Sequence, residues 1–326
     1  MYYAKQNNGS LITAHEAQRG SAYFCPHCAE TVVLRQGTVK RAHFTHIKRN
    51  CRPNHSGETL THYKAKYRLA QDLQLLGYEV QIEPQIRQGS QIPDLLLNNK
   101  VVVELQFSNI TLVELQRRTS NYELLGYMVC WVVLLPTVKY NYFKLTDFQS
   151  ACIQPQLRRL FAWHPTSERL YVITQIMAYG HNKFKGVYNK LNQFTFNNCS
   201  EQQRVSTAKI PEQSILKYLQ FCRKRKSVLE PTLSLMYQLQ LTEQWVAKHL
   251  GHVYPEQLLI KTHPVLWQLR YIYELQLPNF QVTQVVNSLK RRTFATPNIN
   301  TTKELQRLMN RFAQHYKTSK QYNVQN

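Results

Sequence analysis

No run of 18 or more apolar residues occurs in the 326-residue chain, which excludes a membrane-spanning helix of ordinary length. The N-terminal MYYAKQNNGS lacks the basic-then-apolar plan of a signal peptide, so the expectation is a soluble, cytoplasmic protein. There is no Gly-rich phosphate loop, which argues against an ATPase, and no exact internal repeat, which argues against a solenoid. A disulfide framework is missing too. Of seven cysteines, three cluster near the N-terminus, while Cys130, Cys152, Cys199 and Cys222 are scattered singly as small buried hydrophobes or inert thiols. Acidic residues are scarce, 19 against 41 Lys and Arg, and the net charge of +22 calls for an anionic partner. A membrane surface is the weaker option, because no basic amphipathic helix with a strong apolar face stands out.

The charges that are present are unevenly placed. Residues 1–57 carry eight Lys and Arg against two acids, residues 58–136 seven against eight, and residues 137–326 twenty-six against nine. A nearly neutral block between basic flanks is the layout expected if the flanks hold a polyphosphate backbone and the middle holds a metal. The expectation is an N-terminal module over 1–57, a core over 58–136 and a basic, mostly helical region over 137–326.

The middle block is organised around QIPDLLLNNKVVVELQFS, residues 91–108. Two apolar runs flank Asn98, Asn99 and Lys100, a β-hairpin signal. On the second run Val101, Val103, Leu105 and Phe107 share one face, expected in the core, while Glu104 and Gln106 share a polar one. A two-residue Asn98-Asn99 loop would pair Asp94 with Val103 and separate the acids. A three-residue loop through Lys100, with an Asn in the left-handed conformation, sets Asp94 opposite Glu104, and that register is the expectation. Carboxylates so placed repel unless one takes a proton or a cation lies between them, an arrangement that suits Mg²⁺ or Mn²⁺. The plainer alternative is a turn aspartate after Pro93 and a solvent-facing Glu104.

Upstream, FCPHC and RAHFTHIKRNC read as C-x2-C-x17-H-x4-C, a four-ligand zinc pattern of Cys25, Cys28, His46 and Cys51, with His43 as the competing ligand. A helix is expected from Glu58 to Leu76, ended by Gly77, with an apolar stripe of Leu60, Tyr63, Tyr67, Ala70, Leu73 and Leu76. Glu58, His62 and Lys66, spaced by four, line another face, which is a solvated surface unless a cleft lies beside it. A strand over 78–84, the hairpin, a helix opened by a Thr111/Glu114 capping box and closed by Gly126, and a buried strand over 128–135 complete a small mixed sheet with helices on its faces.

That order, with an acid on the first helix, PD before the hairpin and E-x-Q on its second strand, resembles the PD-(D/E)XK nuclease core. The wording FCPHC, HFTH, GETLTHYKAK, PDLLL, VELQFSNIT, RRTSNY and CWVVL resembles the competence protein CoiA family more closely still, over roughly residues 20–135. The resemblance implies an α/β fold: a PD-(D/E)XK nuclease-like mixed-sheet core with an N-terminal zinc-binding module and a mostly helical C-terminal domain. It implies a cytoplasmic protein of naturally transformable Gram-positive bacteria. Its partners would be incoming single-stranded DNA and the recombinase RecA, and it would promote recombination by metal-dependent phosphodiester hydrolysis. Residue by residue, Glu58 corresponds to the helix acid, Asp94 to the PD aspartate and Glu104 to the strand acid, with Asp94 and Glu104 as ligands to magnesium or manganese. Gln106 stands where the superfamily has lysine, and an amide supplies neither positive charge nor a proton acceptor, so Lys66 or His62 would have to supply the missing function. Ser108, Arg118 and Tyr122 are the expected nucleic-acid-binding lining. The rival is a catalytically weak DNA-binding mediator that recruits recombination proteins, and a weaker third reading is an RNA-binding zinc protein.

Beyond Pro136, residues 137–200 are rich in Tyr, Phe and Asn, with a possible strand at 170–176 and a Lys-rich hairpin near Lys183 to Lys190. Interleaved aromatics and lysines suit single-strand stacking as well as an ordinary half-buried sheet. Helical periodicity returns from Pro211 onward, and Lys290 to Arg292 is a local basic run.

Overall fold

Short apolar runs broken by Asn, Gly and Pro give short strands in the computed structural model, which describes residues 3–25, 28–37, 42–47, 60–86, 91–190, 207–224, 227, 230–296 and 300–323. The N-terminal strands are β1 (Tyr3–Lys5), β2 (Leu11–Thr13), β3 (Tyr23–Phe24), β4 (Thr31–Arg35) and β5 (His43–His46). They form an antiparallel sheet in the order β2-β1-β3-β4-β5. Ala4, Tyr23, Cys25, Val32 and Phe44 sit in its small core. A sheet burying so little gains from an additional tie.

Helix α1 (Leu60–Leu75) is stopped by Gly77, whose φ of 86° only glycine takes at no steric cost. A nine-stranded mixed sheet follows, containing β6 (Val80–Ile82), β7 (Leu95–Leu97), β8 (Val101–Leu105), β9 (Met128–Leu134), β10 (Val138–Lys139), β11 (Tyr142–Lys144), β12 (Leu160–His164), β13 (Arg169–Ala178) and β14 (Lys183–Lys190). Its order is β10-β11-β14-β13-β12-β9-β8-β7-β6. The β8–β9 and β9–β12 pairs are parallel. A parallel step needs a crossover, and α2 (Leu112–Leu124) supplies it, capped by the Thr111 side chain accepting from the Glu114 N–H. A short helix, α3 (Asp147–Ala151), links β11 to β12.

Strand β8 is covered on both faces. Val101, Val103 and Leu105 share a core with Ala65, Leu69 and Leu73 of α1, while Val102 shares one with Leu115 and Tyr122 of α2. The face expected to be polar is therefore buried as well. A second correction concerns the boundary at residue 136. Pro136 interrupts the sheet without ending it, and residues 137–190 supply β10 to β14 of the same sheet instead of opening a helical region.

The sheet is not flat. The Leu135 N–H donates to the Trp163 carbonyl beside β9, yet Val138 already pairs with Phe143 at the far edge. Three residues span at most about 11 Å, whereas five flat strand spacings would be about 24 Å. The sheet must therefore curl until its β10–β11 edge returns to the end of β9. The register of β13 against β14 breaks between Thr174 and Met177, where Gln175 takes a φ of 53°, and such a bulge bends a strand.

The C-terminal part is helical: α4 (Glu212–Lys224), α5 (Pro231–Gln238), α6 (Glu243–His249), α7 (Pro264–Glu274), α8 (Val282–Ser288) and α9 (Thr301–Asn323), with a small pair of β15 (Ala208–Lys209) and β16 (His252–Val253). Its Val265, Trp267 and Phe312 belong to the same core as Trp131 and Phe184 of the sheet. Arg292, the last residue of the basic run from Lys290, is buried. It donates to the carbonyls of Leu258 and His181 and to Ser150 Oγ, with its guanidinium 4.7 Å from the Phe184 ring centre.

Candidate functional site

The turn joining β7 to β8 decides the site. Leu95, Leu96 and Leu97 pair with Val103, Val102 and Val101, so the loop is Asn98, Asn99 and Lys100, and the continued register sets Asp94 opposite Glu104, as parity predicts. Asn98 and Asn99 both take left-handed φ values, 48° and 51°, which short polar side chains tolerate best after glycine. Asn98 also ties the turn to β6, its Oδ1 accepting from the Glu79 N–H at 2.8 Å.

On the other side of β7, Ile82 pairs with Leu95, and the Glu83 N–H donates to the Asp94 carbonyl at 3.0 Å. Glu83, Asp94 and Glu104 thus stand in a row across three adjacent strands. Glu83 is a site residue that sequence patterns alone do not single out. The available signal is an acid between a strand and Pro84, held here at a φ of 48°.

Helix α1 serves Asp94. His62 Nε2 lies 2.6 Å from the Leu105 carbonyl oxygen and 3.2 Å from Asp94 Oδ2. An approach that close to a carbonyl requires the ring proton on Nε2. Lys66 Nζ pairs with Glu83 Oε1 and lies 3.8 Å from Asp94 Oδ1. The Leu105 N–H adds a 2.8 Å bond to Asp94 Oδ2. Lys66 is 1% exposed, so its face of α1 is no solvated surface.

Helix α2 serves Glu104. Arg118 Nη2 and Tyr122 Oη each donate to Glu104 Oε1 at 2.6 Å. Arg118 also reaches Gln106 Oε1 at 3.4 Å and lies over Trp131, the neighbour of Glu104 on β9. Burial, and then the charge of Asp94, push the Glu104 carboxyl up to about 7, against the opposing pull of Arg118 and Tyr122. Burial and the Glu104 charge raise the Tyr122 hydroxyl, which keeps it a donor. Burial opposes the charge on Arg118, but the Glu104 carboxylate outweighs it and raises the guanidinium.

Several sequence expectations change here. Tyr122, expected in the nucleic-acid lining, is fully buried and serves to hold Glu104. Glu104 is 2% exposed and does not face solvent. Gln106 is turned toward Ser108, its Nε2 donating to Ser108 Oγ at 2.9 Å. Ser108 is exposed and the Arg118 side chain is 23% exposed, so both reach the surface. Glu58 lies outside the described residues.

A second constellation lies on the N-terminal sheet. After β3 the chain turns at Cys25, whose carbonyl accepts from the Ala29 N–H at 3.0 Å, and this brings Cys28 back over the sheet. His46 pairs with Val32, next to this turn, whereas His43 pairs with Arg35 at the other end of β5. Three residues along a strand is about 10 Å, so the register excludes His43 from the cluster. Cys28 Sγ lies 3.3 Å from His46 Nε2, and the ligand atoms of Cys25, Cys28 and His46 are all within 4.8 Å of one another. Such a group could hold a metal ion. Cys51 lies outside the described residues.

The described residues thus form a mixed α/β protein: a small sheet carrying a thiol–imidazole cluster precedes a large mixed sheet with a row of acids at one end. The matches to known families fall on the same two parts: "Competence protein CoiA, N-terminal domain" over residues 6–54 and "Competence protein CoiA, nuclease-like domain" over residues 58–209. The chain belongs to the CoiA family of competence proteins. It is 24% identical over 168 residues to Competence protein CoiA of Bacillus subtilis (strain 168), an alignment covering 49% of this chain and 45% of that protein, less than half of its length. No solved structure matches.

Proposed function

We propose that this chain is a metal-dependent DNA nuclease that acts on incoming single-stranded DNA in the cytoplasm during transformation and promotes its recombination, alongside a RecA-type recombinase. The observation that carries the reading is the row of Glu83, Asp94 and Glu104 across three strands, with Glu104 pushed up to about 7 by burial and by Asp94. Burial first and Asp94 second raise the Glu104 carboxyl, and carboxylate oxygens are the hard donors that Mg²⁺ or Mn²⁺ take. Asp94 and Glu104 would hold the ion, which when bound polarises a phosphate and acidifies a coordinated water. Lys66, fixed between Glu83 and Asp94, supplies the positive charge that Gln106 lacks. His62 keeps its Nε2 proton on the Leu105 carbonyl and on Asp94, which orients the aspartate. Glu104 must release its proton to ligate, so metal affinity should rise with pH through about 7. Arg118 and Ser108 reach the surface beside it and would be the groups that meet phosphate.

The purified full chain, incubated with labelled single- and double-stranded DNA and Mn²⁺, tests this against Asp94→Asn and Glu104→Gln. Each change should cut hydrolysis by about a hundredfold or more. Hydrolysis unaffected by either change would reject the site. A second reading has its own support: Arg118 and Tyr122 already occupy Glu104 Oε1, and Gln106 replaces the superfamily lysine. In that case the chain is a DNA-binding mediator on a nuclease scaffold, and absence of cleavage with every divalent ion would favour it.

The N-terminal cluster reads as a structural zinc site, Cys25, Cys28 and His46 with Cys51 as fourth ligand, because two thiolates and an imidazole are donors Zn²⁺ prefers. Metal analysis should find one zinc per chain. Chelation should then expose residues 1–57 to protease while leaving the larger sheet folded.

A further inference from the structure

At the curled edge of the sheet, away from the acids, a cleft of about 570 Å³ is lined by Lys139, Lys144 and Lys183, by Tyr140 and Tyr142, and by no acidic residue. That volume is in the range of sites that enclose a nucleotide-sized group. Tyr140 forms the tip of the β10–β11 turn with Asn141, at φ values of 52° and 63°. Such two-residue turns favour Gly, Asn and Asp, and an aromatic side chain with a Cβ is a poor occupant of the first position. Tyr140 is nonetheless there and is 86% exposed, so neither turn geometry nor core burial accounts for it. Lysines surround the two rings. Lys139 Nζ lies 5.9 Å from the Tyr140 ring centre, and Lys183 and Lys185 lie 4.6 and 5.7 Å from that of Tyr142.

We propose that this cleft binds single-stranded nucleic acid, with a base stacked on the exposed tyrosine and phosphates on Lys139, Lys144 and Lys183. Exposed aromatics beside ammonium groups read the two parts of a strand whose bases are unpaired, whereas a duplex keeps its ring faces covered. An acidic peptide would satisfy the lysines but leaves the open tyrosine face without a purpose. The curl also places the cleft well. Its rim begins at Pro136, four residues beyond Val132, whose carbonyl accepts from the Gln106 N–H. One strand spacing plus four extended residues puts the rim within about 19 Å of the acid-bearing end of β8. Binding at this cleft does not depend on hydrolysis at the acids.

The test uses the full chain in EDTA, with fluorescence anisotropy of a labelled oligothymidylate and of a matched duplex. Tyr140→Asn keeps a residue suited to the turn, so the melting temperature should hold or rise while single-strand affinity falls by about fivefold or more. Lys144→Gln should flatten the slope of log affinity against log salt by about 0.7. EDTA removes the divalent ion that cleavage at the acids would need, which keeps binding at this cleft separable from cleavage. Equal affinity of Tyr140→Asn and wild type would overturn the proposal. So would equal losses for strand and duplex, or displacement of the oligonucleotide by polyglutamate as readily as by unlabelled oligothymidylate.

Discussion

Asp94 and Glu104 face each other across one hairpin, yet their surroundings differ. Asp94, its side chain 15% exposed, is spread over three partners: the Leu105 amide, His62 and Lys66. Glu104 is sealed, and a single oxygen takes both of its bonds, from Arg118 and Tyr122. Hairpin parity decides where the two acids stand, and the helices on opposite faces of β8 decide what each can be. One is bound by an amide, an imidazole and an ammonium, and the other holds a proton until near neutrality.

The strongest way to break this contrast is Arg118→Met, which leaves Glu104 buried beside Asp94 without its cation. A loss of about 3 kcal/mol at pH 8 is expected by chemical denaturation, and a smaller loss at pH 5, where Glu104 keeps its proton. A loss independent of pH would remove the charge argument. Nearly as large is the pH dependence of the wild type itself. The folded carboxyl sits near 7 against an ordinary 4.5, so the folded state binds the proton more tightly. Its contribution is complete below about pH 4.5 and fades as pH rises through 7, a fall of about 3 kcal/mol. Glu104→Gln should lack that fall, and parallel curves for variant and wild type would sink the assignment. The smallest effect sharpens the parity. Asn99→Ala should cost about 1 kcal/mol in thermal denaturation and Asn99→Gly less, because glycine keeps the left-handed φ and both variants lose only the exposed bond from Gln81 Nε2 to Asn99 Oδ1.

The sequence carried the hairpin almost completely, since two Asn, which tolerate a left-handed φ, and a Lys between two continuous apolar runs admit few registers. It also held the first and second helices, through Gly77, Thr111 and Glu114. What it hid depends on contacts between distant segments. Lys66 looked like a solvated face because Glu83, its partner, lies beyond the end of α1 and announces itself only through Pro84. Tyr122 looked available because nothing local says that it points at Glu104. Pro136 looked like a domain end, since the strands after it join the same sheet through pairings with segments far along the chain.

Arg292 bears on how far this molecule can be shortened. The segment after α8 inserts its guanidinium between α3, the β13–β14 turn and Phe184. A chain stopped at Lys209, where the family match ends, would keep every acid of the row yet leave the sheet's greasy underside bare. Such a fragment should clump or be digested before its chemistry could be assayed, so the helical third is the floor on which the nuclease-like part stands.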